Sequence, residues 1–421
     1  MKIVLWHGYL LGGTGSNVYT RSLARAFGNL GHEVVVICQD PNPAEFDLDS
    51  ARVVRPDIGP LLPVFVLDQY AGVEARLLGD LTVVERTRVV DANAAALRVE
   101  LPADFVLVNH VLLGAAVGAA SGASYVVKAH GSELEFAMRG NHELCEWARD
   151  CLLSARAVIA GSEHIVSVLQ EVLGRGPHLE RVLTVPPGVD VEALRPKPRA
   201  EALAALVAES QRDAPNPAHG HDPRRPDHGN AERLAAFFAG DAPTVLYVGK
   251  LSREKGVHLL LQALRGLDAR AVIVGFGPER NALEEAAEGR VLFTGALEHR
   301  HLAHLWPLAD VSVTPSVFPE AFGMVAAEAA ACGSLPLVAR HSGLAEVAAG
   351  LAEEYPAARR DLVAFAPDDA ADLALKLRTL LALSPDEREE LGSAARRAAV
   401  RLWSWEGIAA RLIAAGATST G

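Results

Sequence analysis

Residues 2–37 read KIVLWHGYLLGGTGSNVYTRSLARAFGNLGHEVVVI. Residues 2–5 form a short apolar run, and Gly12-Gly13-Thr14-Gly15-Ser16 follows as a loop. Next comes an amphipathic stretch with Val18, Leu23, Ala26, Phe27 and Leu30 on one side, stopped by Gly31-His32. Val34-Val35-Val36-Ile37 is then a second apolar run. Strand, glycine loop, helix, strand is a βαβ unit. The unbroken β-branched run predicts a parallel strand covered on both faces.

Working outward, the alternation continues to about residue 190, with buried strands expected at 106–108, 125–127, 157–160 and 182–185. From 196 to 242 the composition shifts: Pro196, Pro198, Pro215, Pro217, Pro223 and Pro226 stand among charges with His219, His221 and His228. A histidine cluster can hold metal, but scattered through a Pro-rich polar segment it reads as a solvated loop, with a helix at 200–209. A second alternating block follows, with strands at 245–248, 271–274, 291–293 and 311–313 and helices at 257–264 and 279–287. The expected class is α/β: two doubly wound domains joined near 190–245. A ligand would bind in the cleft between them, beyond the carboxyl ends of the strands.

The chain has 421 residues, a length for two or three domains, and 40 Lys+Arg against 52 Asp+Glu, a net charge of −12. Half the residues are hydrophobic, which excludes disorder of the whole chain. The acidic balance argues against nucleic acid or an anionic membrane as the main partner. Cys38, Cys145, Cys151 and Cys332 form no CxxC pair, so they read as reduced thiols of a cytoplasmic protein. Two segments invite a membrane reading. The apolar start is broken early by His7 and Gly8 and reads as a first strand rather than a signal peptide. Residues 105–127 carry no Asp, Glu, Lys or Arg, but Asn109, His110 and many small residues favour strand, short helix, strand. The Gly114, Gly118, Gly122 ladder lets such a helix press on a sheet.

The chemistry concentrates in three places. Gly13-Thr14-Gly15 followed by Val18 is a weak dinucleotide fingerprint, with Asp40 at a tolerable spacing for a ribose-binding acid. More generally, the loop and the helix it feeds favour phosphate. Residues 249–256, GKLSREKG, put Lys250, Arg253 and Lys255 directly after a strand, which suggests an anion pocket in an acidic protein. Residues 319–333, PEAFGMVAAEAAACG, open a helix in which Glu328 is the one charge from Met324 to Cys332. A carboxylate in a buried helix needs a hydrogen-bonding partner, for which sugar hydroxyls are suited and an internal Arg is the plain alternative.

Glu320 and Glu328, with seven residues between them, resemble the EX7E signature of the retaining glycosyltransferases of family GT4, which have the two-domain GT-B fold. The GGTGS loop, the GHEV strand, KAHGSE at 128–133, PPGVD at 186–190, GKLSREKG and VGFGPE at 274–279 occur in that family's order. The resemblance implies two Rossmann-like domains facing across a deep cleft. The acceptor-binding domain would be residues 1–190 plus a closing helix at about 403–418. The nucleotide-sugar domain would be 191–402, with a polar insertion at about 197–242.

It further implies that Lys255 and Lys250, the latter where the family usually has Arg, hold the donor diphosphate with help from Arg253. Backbone N–H groups of Phe322, Gly323 and Met324, with Gly12 and Gly13 from the other domain, would bind donor oxygens. Glu328 would take the donor ribose, Glu320 the transferred sugar, and His130 would lie beside the reacting centre. Pro187, where the family usually has Asn, leaves the chemistry untouched. The implied reaction is metal-independent hexose transfer from a UDP- or GDP-sugar, by front-face displacement with retention and without a cofactor. Two readings stay open: a nucleotide-sugar epimerase or hydrolase of the same fold, and an NAD-dependent oxidoreductase using the first glycine loop. Residues 41–105 match no motif, although 60–69 is a candidate acceptor lining. Residues 1–196 carry 16 Lys+Arg against 23 Asp+Glu and no basic amphipathic helix, so a soluble acceptor is expected.

Overall fold

The computed structural model describes residues 1–13, 15–66, 73–217 and 219–417. Thr14 of the glycine loop, residues 67–69 of the candidate acceptor lining and residue 418 of the closing segment lie outside them. The chain divides into two units, Met1–Gly188 with Trp405–Gly421, and Val189–Ser404.

The first unit is built on a seven-stranded parallel sheet. Its order is Arg52–Val54, Glu33–Ile37, Lys2–Trp6, Phe105–Asn109, Val126–Lys128, Ala157–Ala160, Val182–Thr184. Lys2–Trp6 pairs with Glu33–Ile37 on one side and Phe105–Asn109 on the other, so the strand order reverses at that seam. Successive side chains alternate between faces. Val4, Trp6, Val35 and Ile37 join one core with helices Val83–Val99, Leu113–Ser121, His142–Leu152 and Glu163–Leu173. Ile3, Leu5, Val34 and Val36 join the opposite core with helices Gly15–Asn29 and Trp405–Ala417. Both faces are buried, which is why these strands read as continuous apolar runs.

The uncharged stretch 105–127 folds as strand Phe105–Asn109, helix Leu113–Ser121 and the start of strand Val126–Lys128. A Cβ on Gly114 would stand 2.0 Å from the Asn109 carbonyl oxygen, so glycine lets this helix lie on its strand. Among the described residues no helix is long and apolar enough to cross a membrane. Residues 41–105 hold more structure than their sequence declared. They contain strand Arg52–Val54, a separate two-stranded sheet of Leu61–Val64 and Glu74–Leu77, and helix Val83–Val99, opened by a Thr82–Glu85 capping box.

The second unit has six parallel strands in the order Arg290–Phe293, Arg270–Val274, Thr244–Val248, Val311–Thr314, Leu335–Ala339, Ala364–Phe365. Its order reverses between Thr244–Val248 and Val311–Thr314. The solvated-loop reading of 196–242 is corrected. Helices Arg199–Ser210 and Asn230–Phe237 send Ala202, Leu206, Leu234 and Phe238 into the core. Ion pairs pin the connecting segment: Arg300 with Glu209 and Asp213, and Arg280 on both oxygens of Asp227. His219, His221 and His228 are exposed, and among the described residues no three His, Cys, Asp or Glu side chains gather as a metal site. Trp403 closes helix Pro385–Trp403 inside the second unit's core, whereas Trp405 opens the helix that returns to the first.

Candidate active site

In the second unit the predicted residues lie on loops that leave the carboxyl ends of the two seam strands and, for Met324 and Glu328, on the helix Met324–Ala331 that follows. The segment 249–256 follows strand Thr244–Val248, and 315–323 follows strand Val311–Thr314. Gly256, with φ +67°, brings them together: a Cβ there would stand 1.9 Å from the Pro315 carbonyl oxygen. The N–H groups of Val317 and Phe318 both donate to the Glu254 carbonyl oxygen, at 2.9 and 3.2 Å. This close approach sets Lys255 Nζ 2.5 Å from Glu320 Oε1. Ser316 Oγ donates to the same oxygen at 2.5 Å. Tyr247, under the loop, donates from its hydroxyl to the Lys250 carbonyl oxygen at 2.9 Å. Burial first, and then the nearby Glu320 charge, push its phenol pKa up, so it stays a donor.

Lys250 and Arg253 are exposed, on the same turn but outside the Lys255–Glu320 pair. Phe322 is buried edge-on against Trp403, with ring centres 5.9 Å apart, so its side chain serves the core and only its backbone faces the loop. Gly323 opens helix Met324–Ala331 with no side-chain cap. Four orphan N–H groups at a helix start form an anion-favouring end, here beside Lys255's loop. Glu328 lies 8% exposed in that helix, its Oε1 3.3 Å from His299 Nε2. In place of the internal Arg that was the plain alternative to sugar hydroxyls, its protein partner here is a histidine.

In the first unit, Asn109 ends strand Phe105–Asn109, and His130 lies two residues past the neighbouring strand Val126–Lys128. Asn109 Nδ2 donates to the Trp6 carbonyl oxygen at 3.2 Å, which leaves Oδ1 as the acceptor for His130 Nε2 at 2.8 Å. The network therefore assigns the proton to Nε2. Fully buried Glu133 accepts from the backbone N–H of His130 at 3.0 Å and of Val111 at 3.1 Å, tying both strand ends to one carboxylate. Burial, followed by the charges of His110, Lys128 and His7, holds His130 well below the usual histidine pKa, so the ring is neutral. His7, buried beside His110, is lowered to about 3 and hydrogen-bonds Asn17 at 2.7 Å. Lys128 donates to the Val185 carbonyl oxygen at 3.1 Å, and burial lowers it to about 7.

Gly13 is exposed at φ +93° with open space around its Cα, and Asn17 Nδ2 donates to the Gly12 carbonyl oxygen. Asp40 has another duty than ribose binding. It is buried, accepting from the N–H of Leu11 at 2.8 Å and of Asn42 at 2.9 Å, which removes the acid from the dinucleotide fingerprint.

The structure thus joins Lys255 to Glu320, sets Glu328 against His299, and keeps Gly12, Gly13 and His130 on loops that follow the first unit's strands. Sequence reasoning missed Asn109, Glu133, Ser316 and His299. Only Ser316, four residues before Glu320, carried a local signal.

Two parallel sheets with reversing strand order, each ending in a glycine loop, define the class: paired Rossmann-like units of the GT-B type. Solved structures agree on the fold. Sucrose-phosphate synthase from Thermosynechococcus elongatus superposes with TM-score 0.65 at 22% identity, covering 97% of this chain and 96% of that one. Anabaena HepE in complex with UDP and glucose gives 0.63 at 19%, covering 97% of each. The family model described as Glycosyltransferase Family 4 matches residues 13–193, and Glycosyl transferases group 1 matches 231–398. The D-inositol 3-phosphate glycosyltransferase of Xylanimonas cellulosilytica is 30% identical over 62% of this chain and 58% of its own. The chain spans about half the length of the curated relatives it matches. It belongs to the family 4 glycosyltransferases of GT-B fold.

Proposed function

We propose that the protein moves a hexose from a UDP- or GDP-sugar to an acceptor hydroxyl, with retention and without a metal. The observation that carries this reading is Lys255 Nζ at 2.5 Å from Glu320 Oε1, on loops at the second unit's seam. A bound diphosphate gives Lys255 a second anionic partner, and the lysine neutralises charge growing on the leaving nucleotide, the task a metal performs elsewhere. Lys250 and Arg253, on the same turn, add positive field. Lys250 acts as a point charge rather than a bidentate fork. The N–H groups of Phe322, Gly323 and Met324 take donor oxygens. Glu328, steadied by His299, takes ribose hydroxyls, and Glu320 takes hydroxyls of the transferred sugar.

In the first unit, Gly12 and Gly13 offer backbone to phosphate, and neutral His130 orients the reacting groups without adding charge. The leaving phosphate oxygen accepts the acceptor's proton on the same face, so the anomeric configuration is kept. No cofactor enters this scheme. The name of the relative from Xylanimonas supports a small polar acceptor, in line with the acidic first half; the free thiols of Cys38, Cys145, Cys151 and Cys332 support the cytoplasm.

The test is a panel of UDP-, GDP- and ADP-sugars scored for nucleotide release, with product NMR. Release from a UDP- or GDP-sugar and a retained anomeric centre are expected. Inversion would overturn the mechanism, and thermal protection by NAD alone would restore the oxidoreductase reading. Release of an epimerised or hydrolysed sugar at full rate without acceptor would favour the epimerase or hydrolase.

A further inference from the structure

Glu320 is held from behind by two residues that none of the motifs includes. Strand Val311–Thr314 pairs with strand Leu335–Ala339, so the segments leaving them, 315–323 and 340–343, emerge side by side. The N–H of Gly343 donates to the Glu320 carbonyl oxygen at 3.0 Å. The N–H of Glu320 donates to Ser342 Oγ at 2.8 Å. Ser342 Oγ lies 3.0 Å from His341 Nδ1, and His341 Nε2 lies 2.7 Å from the Ser316 carbonyl oxygen. A carbonyl only accepts, so His341 carries its proton on Nε2, and its bare Nδ1 accepts the Ser342 hydroxyl. Ser316 then closes the ring by donating from Oγ to Glu320 Oε1 at 2.5 Å.

Every donor in this loop has an acceptor and every step runs in one sense: Glu320 backbone to Ser342, to His341, to Ser316, and back to the Glu320 carboxylate. Ser342 achieves its place at φ +49°, the left-handed region that a serine avoids. Glycine would adopt it without strain, but glycine has no hydroxyl. Strain retained at a position where the side chain completes such a circuit is the mark of a positioning role.

We infer that His341 and Ser342 are positioning residues that fix the Glu320 carboxylate for the sugar it receives. This rests on the transferase reading above. The ring sets both ends of the 316–320 segment, so removing one link loosens the carboxylate and its contact with Lys255, while the 249–256 turn that faces the donor's nucleotide keeps its own bonds.

Ser342→Gly tests this, because it relieves backbone strain while deleting the hydroxyl. Wild type, Ser342→Gly and His341→Ala are compared by melting temperature, calorimetric UDP and GDP binding, and nucleotide release from UDP-glucose and GDP-mannose. Ser342→Gly should melt no lower than wild type and bind the nucleotide as wild type does, while kcat falls about tenfold to hundredfold at nearly constant KM, the scale of a displaced catalytic group. His341→Ala should show the same split. Unchanged kcat in a stable Ser342→Gly protein overturns the inference and leaves the transferase reading standing. Loss of nucleotide binding in step with kcat also overturns it. A wild-type protein that releases nucleotide from no UDP- or GDP-sugar of the panel overturns the transferase reading, and the positioning role falls with it.

Discussion

Lys255 and Lys250 sit five residues apart on one turn, yet only Lys255 is drawn against Glu320. Lys255→Ala should therefore lower kcat by about a hundredfold or more, the scale for removing one pre-set donor to developing charge. Lys250→Ala should cost far less, and steady-state rates on the responsive donor compare the two. Lys128 makes a second prediction. Its pKa falls from an ordinary 10.5 to about 7 through burial. Between those values the folded protein holds its lysine neutral while the unfolded chain keeps the proton, so stability rises with pH across that window. Below pH 7 the buried charge exacts its full cost. The stability of wild type relative to Lys128→Met should improve from pH 7 to pH 10 by a few kcal/mol, on the order of 1.4 kcal/mol for each pH step of one within that window. Urea unfolding at four pH values measures it, and a flat difference would contradict the assigned burial. Glu328 stood out as a charge in a run of small apolar residues, Glu320 by its spacing to Glu328, and Lys255 as one of three cations directly after a strand. His341 and Ser342 were not legible, since their meeting with Glu320 depends on which strands are neighbours.

Glycines that allow close approach organise the elements. Gly256→Ala meets the Pro315 carbonyl oxygen and must part the segments that hold Lys255 and Glu320. It should destabilise by about 1–3 kcal/mol, as overpacking does, and weaken UDP or GDP binding in titration calorimetry. Gly114→Ala should bring a similar loss of stability with nucleotide binding intact, because its clash is with Asn109 in the other unit. The strand-and-loop elements of both sheets were readable from sequence because each buried parallel strand is apolar throughout. Helix Val83–Val99 was not: Val83, Val84 and Val99 face solvent, which blurs the apolar stripe that marks a helix. Helix Asn230–Phe237 was hidden by the Pro- and His-rich residues before it, although Leu234 is fully buried.

At the scale of the whole molecule the two units differ in how the chain builds them. Val189–Ser404 is one continuous segment with its own core, whereas the first unit draws on a distant piece. Ile408, Ala409 and Leu412 are fully buried against that unit, and Trp405 lies edge-on to Tyr19 with ring centres 5.4 Å apart. A 189–404 fragment should unfold cooperatively in urea and bind UDP or GDP. A 1–188 fragment should aggregate unless a 405–417 peptide is supplied. The returning helix also imposes an order in time. The ribosome makes the first unit's sheet before the second unit, but makes the helix that covers its Ile3–Leu5 and Val34–Val36 face only after it. The second unit can fold as it emerges, while the first waits with an apolar face open for more than two hundred residues of elongation. At roughly 5–20 residues per second that wait lasts tens of seconds. Over that interval the nascent first unit is a natural client for chaperones, and the returning helix is the event that releases it.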